Sequence, residues 1–368
     1  VTVELRAGSG RVRLVVYGFG RVGSAVLELA LSRPWLEVVG VIARRPEREG
    51  ERCSDSVPGA PHDLRVRIAA EDVLAAVRPD AVIVATTSRL RDVIGHLDAA
   101  ARSCARAIVS TAEELAWVRP EDGDEARSIH ELAIRHDCAI VATGVNPGFA
   151  LDLLPLVLAG LAWDVQRIEA RRVVDVSVFA PHTRRQLGIG HDEAAFAAGV
   201  ADGTIVGHLG FRESLRLLSE SMGRPAQRIS IDTAPVMAEQ AYALADGTVE
   251  PGTTVGATQR AVAWRDERPW ISVEMLLHAA PAADGIRPVD ETHLFGRHEL
   301  HATVDPGSAA ILSTAAQLIN VIPVALAARP GWYGPGQLPP GAPWLADEPP
   351  LAATASTGRT AAGGIAYR

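Results

Sequence analysis

This 368-residue chain predicts a doubly wound, Rossmann-like α/β domain followed by a second, α+β domain. Three observations carry that expectation. An apolar run ends in Gly-x-Gly-x-x-Gly and opens into an amphipathic segment. Short Val/Ile/Ala runs then alternate with amphipathic stretches as far as Pro147, the pattern of a parallel sheet covered on both faces. Beyond Pro147 the apolar runs lengthen and alternate with polar residues, as in a sheet with one exposed face.

The first strand is expected over residues 13–17 and the first helix over 24–31. Between them, Gly18 permits a tight turn, Gly20 lets the backbone approach a pyrophosphate, and Gly23 lets helix and strand pack closely. Phe19, Arg21 and Val22 complete the turn. Phosphates would sit on the helix N-terminus, where free N–H groups and the dipole favour anions. A second strand over 37–42 runs into Ala43-Arg44-Arg45-Pro46. An acidic residue there would hold the ribose 2′-hydroxyl of NAD, whereas guanidinium groups suit a 2′-phosphate. Arg44 and Arg45 therefore favour NADP(H) over NAD(H).

Strands at 64–68, 81–85, 107–110 and 139–142, with helices at 70–77, 89–102, 113–117 and 126–136, complete the first domain. Ligands of open α/β sheets bind at the carboxyl ends of the strands. After the fourth strand, Thr86, Thr87 and Ser88 can line the nicotinamide ribose and still cap the next helix. After the fifth stand Thr111, Glu113 and Glu114. A carboxylate in a closing apolar cleft is raised in pKa toward neutrality and can move a proton beside the nicotinamide. Glu113 is preferred for that role and Glu114 is the alternative; a helix first turn also accounts for such a pair. The turn Gly144-Val145-Asn146-Pro147-Gly148-Phe149 is either a plain hinge or a lining element contributing Asn146 and Phe149.

The second domain reads as a helix at 150–162 and strand segments at 165–170, 173–179, 254–264, 270–277 and 298–304. Helices are expected at 192–201 and 211–220, and a last one at 308–327 returns to the first domain. The expected organisation is a dinucleotide-binding domain over 1–147 and a substrate and oligomerisation domain over 148–307. A returning helix over 308–330 and a loose Pro/Gly-rich tail over 331–368 follow. The open sheet face is where the partner of a homodimer would sit. His182 and His208 are candidates for substrate contact, His208 equally for capping a helix. His293, His298 and His301 lack a supporting carboxylate pattern, so no metal is expected.

Composition removes several classes. Net charge is −8 with no block of like charge, so nucleic acid is not an expected partner. No run of about 18 apolar residues stands out, so no membrane span is expected. Residues 1–16 lack a signal-peptide layout. Three cysteines without a Cys-x-x-Cys pair read as reduced thiols of a cytoplasmic protein. All 36 Lys+Arg residues are Arg, which excludes a lysine Schiff base, a lysine general base and a P-loop lysine. Arginine binds and polarises but hardly relays protons, so proton transfer falls to Glu, Asp, His or Tyr.

Seven short segments, in order and spacing, resemble one family over residues 13–340. They are Gly18-Phe-Gly-Arg-Val-Gly23, Ser110-Thr-Ala-Glu-Glu114, Thr143-Gly-Val-Asn-Pro-Gly-Phe149, Arg172-Val-Val-Asp175, Gln186-Leu-Gly-Ile-Gly190, Gly207-His-Leu-Gly-Phe-Arg-Glu-Ser214 and Asn320-Val-Ile-Pro323. The family is the dihydrodipicolinate-reductase-like branch that contains 2,4-diaminopentanoate dehydrogenase and the native amine dehydrogenases. The resemblance implies an NAD(P)H-dependent enzyme acting on an amine or imine carbon. It also implies that a glutamate of the Ser-Thr-x-Glu-Glu segment, here Glu113 or Glu114, holds ammonia and manages protons. True dihydrodipicolinate reductases carry a His-His pair with a nearby lysine, which this chain lacks, so that activity is not expected. The stretch after Asp175 and the C-terminal end depart from the family, which leaves the substrate open. The expected function is reductive amination of a ketone with ammonia, and its reverse. The alternatives are a biosynthetic imine reductase taking a preformed imine and a non-catalytic NADP-binding regulator.

Overall fold

The computed structural model describes residues 10–345. β1 (Val12–Tyr17) runs into the glycine turn; α1 (Arg21–Leu31), β2 (Leu36–Ile42), the short α2 (Cys53–Ser56) and β3 (Val66–Arg67) follow. Next come α3 (Ala70–Val77), β4 (Ala81–Val84), α4 (Leu90–Arg102), β5 (Ala107–Ser110), α5 (Asp124–Arg135) and β6 (Ala139–Ala142). β4, β5 and β6 are buried at every residue. Their sequences, almost wholly Ala, Val and Ile, suit strands covered on both faces.

The chain then leaves this sheet. α6 (Leu153–Ala159), β7 (Arg167–Asp175), α7 (Pro181–Gln186), α8 (Glu193–Asp202) and α9 (Phe211–Ser221) precede β8 (Arg228–Met237). A small ribbon of β9 (Tyr242–Leu244) and β10 (Gly247–Val249) follows. β11 (Thr254–Arg265), β12 (Arg268–His278), β13 (Val289–Phe295) and β14 (Leu300–Val304) complete the second part. α10 (Ala310–Asn320), α11 (Ile322–Ala327) and β15 (Gly331–Tyr333) return to the first.

The first sheet has the order β3-β2-β1-β4-β5-β6-β15, and every pairing in it is parallel. Strand order reverses between β1 and β4, and the crevice at that switch point is where such sheets bind dinucleotides. The second sheet has the order β8-β11-β12-β7-β13-β14; only β7 with β12 is parallel. Helices α6 and α9 pack on one face, with Phe211, Leu215 and Leu218 of α9 among the core residues. Arg171 and Arg260 stand exposed on the sheet. This is the expected fold class.

Several elements differ from the sequence expectation. The two segments at 165–170 and 173–179 are one strand, β7, whose Arg172 points inward and is 2% exposed. β13 has no counterpart in the expectation because two of its three buried positions are the polar Asp290 and Thr292, which erase the apolar alternation that Leu294 alone cannot show. β8, the β9–β10 ribbon and α7 are also additional. The tail expected to begin at 331 begins instead with β15, whose Trp332 is buried and donates from Nε1 to Leu115 O at 3.1 Å. The looseness expected after residue 347, and the part of the N-terminal reading that concerns residues 1–9, lie outside the described residues.

One expectation about apolar runs needs correcting. Residues Ala310–Ala327 are long and apolar enough, by length and composition, to cross a membrane. In the fold this stretch breaks into α10 and α11, and Ala315, Leu318, Ile319, Ile322, Ala325 and Leu326 pack with β1, β4 and β5 side chains in one core. Its apolar side is thus the lining of the first sheet.

Candidate active site

The glycine turn is built for close backbone approach. Gly18 has φ +113°, and a Cβ there would lie 2.2 Å from Ala85 O. A Cβ on Gly23 would lie 1.7 Å from Gly18 O. Gly20 precedes α1, which has neither a side-chain cap nor an acidic residue in its first turn, leaving the N-terminal N–H groups to a ligand. These residues fit the pyrophosphate of a nicotinamide dinucleotide. Gly23→Ala is expected to abolish cofactor binding by calorimetric titration and to cost at least about 1–3 kcal/mol of stability. Unchanged affinity would contradict this use of the turn.

Phe19 lies 3% exposed in a small core with Leu27, Val41 and Cys53. Arg48, which sequence reasoning missed, braces the same turn. Its Nη1 donates to Phe19 O, its guanidinium lies 4.8 Å above the Phe19 ring, and Nε and Nη2 each reach a Glu51 oxygen at 2.6 Å. Arg44 and Arg45 stand exposed at the end of β2.

Two adjoining hollows meet here. A groove of about 940 Å³ runs along Gly18, Phe19, Gly20, Arg21 and Val22, past Arg44, Arg45 and Thr111. A pocket of about 710 Å³ continues it toward the second sheet, bounded by Arg172, Val174, His208, Met275 and Leu277. Thr86, Thr87, Ser88, Glu113, Asn146, Phe179 and His182 border both. The groove suits an extended cofactor and the pocket a small substrate.

Glu113 occupies the seam. It begins a single 3-10 turn, Glu113–Leu115, after β5, and its side chain is 22% exposed. Ser88 Oγ donates to Oε1 at 3.3 Å, the Leu209 backbone N–H bonds the carboxyl, and His208 Nδ1 lies 3.6 Å from Oε2. Burial pushes its pKa up to about 8, and Glu213 and Glu114 nearby add to the rise. Ser88 and Leu209 oppose it without reversing it. Asn146 Nδ2 donates to His208 Nε2 at 2.6 Å, and His208 N donates to Gln259 Oε1 at 2.8 Å. With Nε2 accepting, the ring proton sits on Nδ1 and faces Glu113. Burial, and then the Arg172 charge, lower the His208 pKa to about 3, so the ring is neutral.

Not every expected residue lines the site. Glu114 turns away from both hollows: Oε2 accepts from Leu90 N at 2.8 Å, capping α4, and Oε1 lies 3.7 Å from Arg89 Nη1. Glu114→Gln is therefore expected to change kcat by no more than about twofold while lowering stability by about 1 kcal/mol, read as a fall in Tm. Phe149 is also outside the lining. The chain after Asn146 winds back on itself, Phe149 N donating to Val145 O at 3.0 Å, and carries the ring past the pocket.

Other lining residues were not anticipated: Phe179, Gln186, Met275, Leu277, Thr314 and above all Arg172. Arg172 Nη2 donates to Ser308 O at 2.8 Å and Nε lies 3.6 Å from Asp290 Oδ1, while its buried Nη1 has no partner among the described residues. The one available signal was an arginine at an inward position of a strand. His293 pairs with Glu299 at 3.1 Å, and among the described residues no cluster of three or more His, Cys, Asp or Glu could hold a metal.

Comparison with known proteins agrees with this architecture. A 2,4-diaminopentanoate dehydrogenase of Acetoanaerobium sticklandii is 26% identical over 332 residues, 89% of this chain and 94% of that protein. An amine dehydrogenase of Streptomyces virginiae is 28% identical over 174 residues, 46% of this chain and 47% of that one. The structure of an amine dehydrogenase from Mycobacterium smegmatis matches with a TM-score of 0.80 at 25% identity, over 90% of this chain and 97% of that chain. The family model of the 2,4-diaminopentanoate dehydrogenase C-terminal domain matches residues 149–349, which include Arg172, Phe179, His182 and His208 of the site. That match spans more than half of the 368 residues, and the chain belongs to the 2,4-diaminopentanoate dehydrogenase C-terminal domain family.

Proposed function

We propose that this oxidoreductase is an NADPH-dependent amine dehydrogenase that works as a reductive aminase. The observation that carries the reading is Glu113, raised in pKa and facing His208 at the seam between cofactor groove and substrate pocket. In the reductive direction a ketone, ammonia, NADPH and a proton give an amine, NADP+ and water. The bound nicotinamide supplies the hydride. Glu113, protonated at neutral pH, gives its proton to the hydroxyl that leaves the carbinolamine as water. In the reverse direction its carboxylate takes a proton from the substrate ammonium.

Neutral His208 holds Nδ1–H toward Glu113 and is itself held by Asn146 and Gln259. Val174, Phe179, Leu187, Met275 and Leu277 give the carbon substituents an apolar wall and keep water from the iminium. Arg44 and Arg45 at the end of β2 support the preference for NADPH. Unpaired Cys53, Cys104 and Cys138 fit a cytoplasmic enzyme. On the second sheet Arg171 lies 3.6 Å from Glu274 and 3.3 Å from Glu291, and we place the homodimer contact on this open face.

The test is NADPH oxidation with a panel of small ketones, with and without ammonium. Ammonium-dependent turnover supports the reading. Turnover confined to preformed imines without ammonium replaces it with an imine reductase. NADPH binding without turnover of any ketone, imine or amine replaces it with a regulator.

A further inference from the structure

The helix that follows His208 is fastened at its far end to the chain that follows Glu113. α9 starts directly after His208, Leu209 and Gly210. Gly210 has φ +86°, and a Cβ there would lie 2.5 Å from the Pro147 ring and 3.1 Å from Glu113 Cβ, so this end is pressed onto the catalytic turn. At the other end Glu220 Oε2 accepts from Trp117 Nε1 at 2.5 Å and from Arg119 Nη2. Glu220 Oε1 lies 3.4 Å from Arg216 Nε, and Arg216 forks Asp122 with two bonds of 3.0 Å. Trp117, Arg119 and Asp122 all lie within ten residues of Glu113 along the chain.

We propose that Glu220 and Arg216 are positioning residues: by bolting α9 alongside residues 113–122 they fix the Glu113–His208 separation and keep water out of the seam. The arrangement is specific. Glu220 is only 12% exposed and receives donors from three side chains, two of them on the first part of the fold. Bidentate guanidinium–carboxylate pairs hold orientation as well as distance. An isolated surface pair would do neither. Nothing in the chemistry needs a carboxylate at 220, which is remote from both hollows.

Glu113 reports on the bolt through its own titration. The charged and titratable groups facing it are Glu114 from its own turn, Glu213 from the first turn of α9 and His208 from the loop before α9; Arg172 of β7 acts on His208. None of these is altered by substituting Glu220. Loosening α9 admits water, and the burial that raises the Glu113 pKa weakens.

This inference rests on the reading of Glu113 given above, and the experiment separates the two. Wild type, Glu220→Gln and Arg216→Lys are compared by kcat against pH in the reductive direction. Glu131→Gln, in an exposed pair with Arg135, is the control. Glu220→Gln is expected to lower kcat about tenfold, since small misplacements of a reacting group are costly. Its alkaline limb is expected to move about one pH unit lower, toward an ordinary carboxyl, with KM for NADPH unchanged. If Glu220→Gln does not fold, Arg216→Lys, which keeps charge but loses the fork, is read the same way. A variant that only loses Tm, with kcat and limb unchanged, makes the bolt merely structural and overturns the proposal. A carboxyl-carbon NMR titration of Glu113, assigned by difference against Glu113→Gln, reads the same shift without turnover. An inactive wild type with the shift intact therefore defeats the amine dehydrogenase reading and leaves the bolt standing.

Discussion

Glu113→Gln is expected to lower kcat by about 10²–10⁴-fold in both directions, while NADPH still binds. Glutamine keeps the shape that Ser88 and His208 contact but can neither give nor take the proton. The same carboxyl sets the pH dependence. With a pKa of about 8, the acid form that the proposed amination needs is expected to be lost as pH rises through that value. The carboxylate that the proposed deamination needs is expected to be gained over the same range. Stability moves too, and the sign follows from where the proton sits. Between the ordinary 4.5 and about 8 the folded protein holds a proton that the unfolded chain has released, so stability falls as pH rises through this window. Glu113→Gln escapes that loss. It is expected to be less active yet more stable than wild type at alkaline pH, by an amount on the order of 2–4 kcal/mol. Denaturant titrations at pH 6 and pH 9 measure it; an equal difference at both would show that Glu113 titrates normally.

Replacing Arg44 and Arg45 together with Ser is expected to weaken NADPH by about 10²–10⁴-fold and to leave NADH nearly unchanged. A charged hydrogen bond to phosphate contributes about 1.5–3 kcal/mol, and two are removed. NADH has no 2′-phosphate for these groups to hold. Arg48→Met is the informative companion, because Arg48 also borders the groove but directs its hydrogen bonds to Phe19 O and Glu51. It is expected to weaken both cofactors alike by loosening the glycine turn. Equal loss of NADPH and NADH in the Arg44/Arg45 variant would mean that these arginines do not choose the cofactor.

What could be read from the sequence was what local physics decides. The glycine turn, the strands made of Ala, Val and Ile, and the amphipathic helices between them each show in a window of a dozen residues. The lining of the two hollows was legible where it stands at strand ends, which is why Thr86, Glu113 and Asn146 could be named as candidates. Glu113 and Glu114 could not be separated, because they are neighbours and only their partners differ. Those partners are Leu90 N for one and His208 for the other, both distant in sequence. Arg172 was hidden for a related reason. A buried arginine makes sense only once Asp290 and Ser308 are known to lie beside it. β15 escaped because the four residues between Pro330 and Pro335, three of them in the strand, offer too short a run to show a period.

The returning strand β15 has a mechanical meaning. The first and last strands belong to one sheet, so everything from α6 to β14 is an insert hung between β6 and α10. It is carried by two chain crossings, residues 143–152 and 305–309, and not by a single tether. Two pivots define an axis. The contacts of Glu220 and Arg216 with Trp117, Arg119 and Asp122 add a third attachment, a latch opposite the hinges, and the candidate substrate pocket lies where the insert meets the frame.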